Sequence, residues 1–214
     1  MKRIRKHFIV SLSLLAAFVL WTLAVSFVDV REIGPQESSV GFAGINGWVH
    51  KLTGVHFDLY HLTDWLGLVP IFVCMGFGGL GLDQWIRRED IGKVDFDILV
   101  LGGFYIVTVA VYILFENVVI NYRPVLIEGT LEASYPSSTT MLVMCVMPTA
   151  IMQFKKRIKD GILRKVVSLT TVVFIVFMVL GRLLSGVHWL TDIVGGGLLS
   201  AGLVLMYDSV SRLR

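Results

Sequence analysis

Little in this sequence suits a soluble protein. Only 16% of its 214 residues are charged, where a globular domain carries roughly 25%. There are two cysteines, Cys74 and Cys145, both inside apolar runs. That excludes a disulfide framework and a cysteine-based metal cluster, and both read as small hydrophobic residues of a core. The net charge is only +3, and its basic residues sit where membrane topology wants them, so nucleic acid is not an expected partner. His50, His56 and His61 fall in one polar segment without a compact ligand spacing, and no metal or other cofactor is expected. No internal repeat, linker or low-complexity tract is visible.

What is present is apolar surface. Hydrophobic residues make up 55% of the chain and the mean hydropathy is +0.76. A membrane span needs about 20 apolar residues, at a rise of ~1.5 Å each across a core of ~30 Å. Six stretches qualify: Phe8–Val28, Trp65–Leu82, Ile98–Ile120, Thr139–Phe154, Val166–Leu184 and His188–Tyr207. The fourth is short and contains Pro148, which neighbouring helices can accommodate. The expected fold is therefore all-α: a polytopic bundle of six membrane helices, forming one membrane-embedded domain over residues 1–214. The N-terminal "MKRIRKH" imitates a secretory signal, but its 21-residue apolar stretch is too long and no small-x-small site follows. It reads as a retained first span.

Fifteen of the 19 lysines and arginines lie before the first span, between the second and third, between the fourth and fifth, or after the sixth. The positive-inside rule then predicts cytoplasmic termini in a multi-pass cell-membrane protein. Arg31, Lys51, Arg123 and Arg182 are left on the outer side. The outer segment Asp29–Asp64 places Phe42, Ile45, Val49, Leu52 and Leu59 at roughly helical spacing, as in a helix lying on the interface, although Gly41, Gly44, Gly47 and Gly54 weaken that pattern. The small residues of the last span, Gly195, Gly196, Gly197, Ala201 and Gly202, predict a helix packed inside the bundle.

Three polar outposts share the outer side: "NYRP" (121–124), "YPSST" (135–139) and "GRLLSGVHWLTD" (181–192). Singly, each has an ordinary structural explanation, such as a headgroup anchor for Arg123, an N-cap for Ser137 or a satisfied polar residue for His188. Together they describe an oxyanion site. Arg123 and Arg182 offer paired contacts to a phosphoryl group. A helix beginning near Ser137 or Ser138 offers free amides and the positive end of its dipole. His188 and Asp192, four apart on one expected helical face, form a nucleophile and its orienting carboxylate.

In these residues the chain resembles the type 2 phosphatidic acid phosphatases, lipid phosphate phosphatases related to the vanadium haloperoxidases. Arg182-x5-His188-x3-Asp192 is similar to their third signature, Arg123-Pro124 to the end of their first, and Pro136-Ser137 to the start of their second. The resemblance implies that His188 becomes a phosphohistidine, that Asp192 orients it, and that Arg123, Arg182 and the Ser137–Ser138–Thr139 backbone hold the phosphate, with no metal. It also implies a lipid phosphate or diphosphate substrate at the outer leaflet.

The match has gaps. Thr139 stands where the second signature carries a histidine that protonates the departing oxygen, Glu116 where the first carries a lysine, and Gly181 where a serine usually precedes the arginine. General acid catalysis supplies ~10²–10⁴ in rate. Its loss penalises a phosphate monoester, which expels an alkoxide, far more than a diphosphate, which expels a phosphate. Three readings of position 139 follow: a preference for lipid diphosphates such as polyprenyl diphosphate, a carboxylate (Glu116, Glu128 or Glu132) acting as the acid, or an altered residue that traps an inactive form. An inactive relative that binds phospholipid headgroups without hydrolysis is the alternative from another class. A small transporter fits less well, since Glu116 is the lone charge within the spans outside the motifs and no inverted repeat is seen.

Overall fold

A computed structural model describes residues 2–213; Arg214 and the side chains of Lys2 and Arg3, part of the basic pattern above, lie outside the described residues. Eight α-helices follow one another: α1 (Lys2–Phe27), α2 (Ala43–Thr53), α3 (Phe57–Leu66), α4 (Leu68–Arg88), α5 (Phe96–Asn117), α6 (Ser138–Arg157), α7 (Gly161–Leu184) and α8 (Leu190–Val210). A two-residue antiparallel pair, β1 (Arg31–Glu32) with β2 (Ser39–Val40), is the one sheet among the described residues. The fold is an all-α polytopic bundle, as expected.

Several boundaries differ from the sequence reading. The second span does not begin at Trp65: α3 runs into α4 through Gly67, whose helical φ/ψ of −60°/−17° lets the apolar stretch extend over Phe57–Arg88. The outer segment accordingly holds two short helices, and the second of them caps a span. The third helix stops at Asn117, three residues early. The last starts at Leu190, so His188 stands in the turn before it and does not share a helical face with Asp192.

Five stretches are long and apolar enough to cross a membrane. The remaining expected span, the fourth, is α6, long enough at 20 residues but less apolar. Its position explains why. It packs against α4, α5, α7 and α8, so much of its surface meets protein and can carry Thr149, which bonds back to the Cys145 carbonyl at 3.0 Å, and Gln153, which bonds the Tyr207 hydroxyl. Helix α8 is likewise internal: 56% of its apolar window is buried, against 22% or less in the other spans. Ser11 of α1 donates to the Gly202 carbonyl at 2.7 Å, a contact that a small residue on α8 permits.

The basic helix ends gather at one end of the bundle. Arg88 pairs with Asp95 (3.0 Å), Lys156 with Asp97 (3.0 Å) and His7 with Asp208 (2.9 Å). The opposite end is built from the C-termini of α1, α5 and α7, the N-termini of α6 and α8, and the α2–α3 segment. Two glycines make that end close. At Gly186 φ is +69°, and a Cβ would lie 1.9 Å from the Gly54 carbonyl oxygen. At Gly181, where serine was expected, a Cβ would lie 2.7 Å from Thr63 Cγ2, so α3 and α7 approach too closely for a side chain.

Gly186→Ala is therefore expected to lower thermal stability in detergent, by about 1–3 kcal/mol from backbone strain and overpacking. Gly102→Ala, where a Cβ would meet nothing within 4 Å, should be neutral or slightly stabilising. Thermal unfolding of both variants checks this.

Candidate active site

The three outposts are tied to one another by backbone. Ser134 N–H donates to the Asn121 carbonyl at 2.9 Å and Arg123 N–H to the Glu132 carbonyl at 3.0 Å, so residues 121–123 pair with 132–134. Ser137 N–H donates to the Asp192 carbonyl at 3.1 Å, joining the second outpost to the third. The Trp189 indole N–H donates to the Tyr122 carbonyl at 2.7 Å, joining the third to the first. From beneath, Asn46 of α2 donates to Thr191 Oγ1 at 2.9 Å and accepts from Thr191 N–H at 3.2 Å.

This frame brings both arginines to one place. Arg123 Nη1 lies 3.5 Å from His188 Nε2. The Tyr60 ring lies 4.9 Å from the Arg182 guanidinium carbon and 5.9 Å from that of Arg123, so one aromatic face serves both cations. Arg182, only 2% exposed, is held on nearly every side. Its Nη1 lies 3.5 Å from the Tyr60 carbonyl and 3.4 Å from Thr63 Oγ1, and its Nη2 donates to Thr139 Oγ1 (2.6 Å) and Asp64 Oδ1 (3.2 Å). Arg123 pairs with Glu132, Nε to Oε2 at 3.0 Å.

His188 is buried between them. Its Nδ1 is 3.6 Å from Asp192 Oδ2, just beyond hydrogen-bond reach, while Oδ2 accepts the Trp189 N–H at 2.9 Å. Asp192 thus caps its own helix and stands behind the ring, and Nε2 points towards the arginines. Burial holds the His188 pKa well below the ordinary 6.5, and the positive charges of Arg123 and Arg182 push the same way. The imidazole is neutral, the form in which nitrogen is a nucleophile.

Among the described residues, six buried side-chain polar atoms lack a hydrogen bond; three at this site, Ser137 Oγ, Arg182 Nε and His188 Nδ1, have no partner within bonding reach, while a fourth, Arg123 Nε, is engaged only by the ion pair to Glu132. Buried polar groups in proteins are nearly always satisfied, so such a cluster marks a place built for a polar ligand. Ser137 precedes α6 and no side chain caps that helix, leaving its first amides for an anion. Ser138 lines a cleft with His188, Tyr112 and Glu116.

All seven residues singled out in the sequence thus lie at this end of the bundle, although Thr139 is engaged by Arg182 through its hydroxyl. Glu132 pairs with Arg123 while its side chain stays 42% exposed, and Glu128 is exposed. Sequence reasoning missed Tyr60, Thr63 and Asp64. Their spacing on α3, one helical turn, was the available signal, hidden in a segment read as interfacial. The three outer histidines are dispersed: His50 contacts the Gly186 carbonyl (3.2 Å), His56 the Thr53 carbonyl (2.9 Å), and His61 lies beside the Tyr60 ring.

The PAP2 superfamily pattern matches residues 102–212, just over half of the chain. The chain belongs to the PAP2 superfamily. Its fold is similar to the crystal structure of a transmembrane PAP2-type phosphatidylglycerolphosphate phosphatase from Bacillus subtilis, with a TM-score of 0.50 over 100% of both chains at 19% identity. No curated protein matches the chain. The PAP2 match begins within α5, so Tyr60, Thr63 and Asp64 lie outside it and complete the site from upstream.

Because the His188 pKa is depressed, its neutral form persists as pH falls through the usual histidine range. The NMR shifts of the His188 imidazole, followed between about pH 5 and 8, should hold steady through pH 6.5 and change only below it. A midpoint at or above 6.5 would contradict this electrostatic picture.

Proposed function

We propose that this protein is an integral membrane lipid phosphatase that works through a phosphohistidine and acts on lipid diphosphates in preference to monoesters. The unpartnered buried donors around a neutral imidazole carry the reading. Arg123 and Arg182 grip the oxygens of one phosphoryl group, and the guanidinium charges offset the negative charge that spreads over it in the transition state. His188 Nε2 attacks phosphorus, the Nδ1 proton turns to Asp192, and the bond to the leaving oxygen breaks. Water later releases phosphate from the histidine.

The site sits opposite the basic helix ends, so the positive-inside rule places it at the outer face with both termini cytoplasmic. A lateral cleft lined by Gly67, Leu68, Ile71, Val109 and Leu142, with Asp64 and Thr139 at its head, supports entry from the bilayer. Tails would lie along the apolar walls while the headgroup reaches the arginines.

Thr139 supports the diphosphate preference. Its hydroxyl accepts from Arg182 at 2.6 Å and is no acid at neutral pH. A leaving group that is itself a phosphate departs without full protonation. Purified protein in mixed micelles should release phosphate from farnesyl diphosphate at least about 10²-fold faster than from phosphatidic acid, and His188→Ala should abolish both. Thr139→His should raise the monoester rate selectively. Equal rates on the two substrates would discard the preference.

A second reading is a headgroup-binding protein without turnover. The pairing of both arginines with carboxylates, Glu132 and Asp64, favours it. Binding of either lipid with no phosphate release, in wild type and Thr139→His alike, would establish it.

A further inference from the structure

We infer that Asp64 is the base that activates water for hydrolysis of the phosphohistidine, an inference that rests on the phosphatase reading above. The carboxylate and the Thr139 hydroxyl share one nitrogen, Arg182 Nη2, at 3.2 and 2.6 Å. Both residues stand at the head of the lateral cleft, whereas His188 lines an adjoining cleft that shares Tyr112, Ser138 and Met141 with it. The head of the lateral cleft is where the lipid half of the substrate departs, so it is where water replaces it, facing phosphorus from the side away from His188.

Asp64 is well placed to receive a proton there. Its side chain is 58% exposed and lies near the N-terminal end of the Phe57–Arg88 stretch, at the end of the bundle that carries the site. It is also fixed: Thr63 and Tyr60 on the same turn of α3 hold the Arg182 guanidinium, and the absent side chain of Gly181 lets α3 lie against α7. A carboxylate is ordinarily ionised at neutral pH and so serves as a base and not as an acid. It therefore cannot replace the missing acid of the first half-reaction, but it suits the second. Glu132, the other carboxylate at the arginines, pairs with Arg123 and is absent from the lateral cleft.

The step balances without a co-reactant. Water oxygen bonds to phosphorus as its proton passes to Asp64. The phosphorus–Nε2 bond breaks, and its electron pair returns to the imidazole. Inorganic phosphate leaves, and Asp64 gives its proton to solvent. The two halves then divide the labour: the first relies on a leaving group that departs unaided, the second on a carboxylate from α3.

The test is rapid quench with farnesyl diphosphate carrying ³²P in its terminal phosphate, using wild type, Asp64→Asn, Asp64→Glu and His188→Ala in detergent micelles. Asp64→Asn should accumulate acid-labile label on the protein, with dephosphorylation slowed about 10²-fold or more and labelling slowed far less. Asp64→Glu should recover part of the dephosphorylation rate, and wild-type dephosphorylation should slow in D₂O. Label on Asp64→Asn that decays at the wild-type rate overturns the role of Asp64 and leaves the phosphatase reading intact. Equal slowing of both steps assigns Asp64 to holding Arg182 and also overturns it. If Asp64→Asn does not fold, the D₂O experiment on wild type decides, and an unchanged dephosphorylation rate overturns the role. No label and no phosphate release in any protein sinks both ideas.

Discussion

Everything at the active end depends on the mutual bracing of three turns that are far apart in sequence. Ser137 N–H bonds the Asp192 carbonyl and the Trp189 indole N–H bonds the Tyr122 carbonyl, so residues of different connections hold one another through main-chain groups. A neutral hydrogen bond contributes only about 1 kcal/mol net, but an unmade one at a buried site costs about 1–3 kcal/mol. The cyclic arrangement therefore fixes geometry more than it adds stability. It holds Arg123 beside His188, and it does so with backbone groups that leave the functional side chains free.

The second constraint is the burial of Arg182. A guanidinium in a membrane protein is expensive unless its donors are met. Four of the five are met here, by the Tyr60 carbonyl, Thr63, Thr139 and Asp64. The remaining one, on Nε, has no partner. α3 and Thr139 thus keep the arginine in place, and on the proposed function Nε is the donor left for an anion. It also gives Thr139 a structural task that a larger residue would have to perform differently. The outer segment, which looks peripheral in sequence, thereby becomes part of the site.

Much of this was legible in the residues. The six long helices followed from apolar run length, the internal position of α8 from its small residues, and the convergence of the three polar outposts from their shared predicted side. The parts that were hidden have physical causes. The second span was begun at Trp65 because Asp58, His61, Thr63 and Asp64 interrupt the apolar run upstream, although α3 continues into α4 through helical angles at Gly67. The His188–Asp192 relation was misdrawn because spacing of four suits a helix, whereas here the carboxylate turns back to cap α8 through Trp189 N–H. Tyr60, Thr63 and Asp64 escaped notice because their role comes from packing of α3 on α7, and Gly181, the residue that allows it, registers in sequence only as a missing serine. The Glu132–Arg123 pair was not foreseen because nothing in the sequence reveals the pairing of 121–123 with 132–134.

The central claim is that two guanidiniums from separate connections converge on one anion. Calorimetric titration of orthovanadate, a phosphate analogue, into wild type, Arg123→Gln, Arg182→Gln and the double variant tests it most directly, with thermal unfolding confirming that each protein is folded. Each single variant should lose most of the affinity, and the double variant should lose little more, the coupling expected of residues that share a ligand. Vanadate affinity unchanged by either substitution in a folded protein would contradict the account.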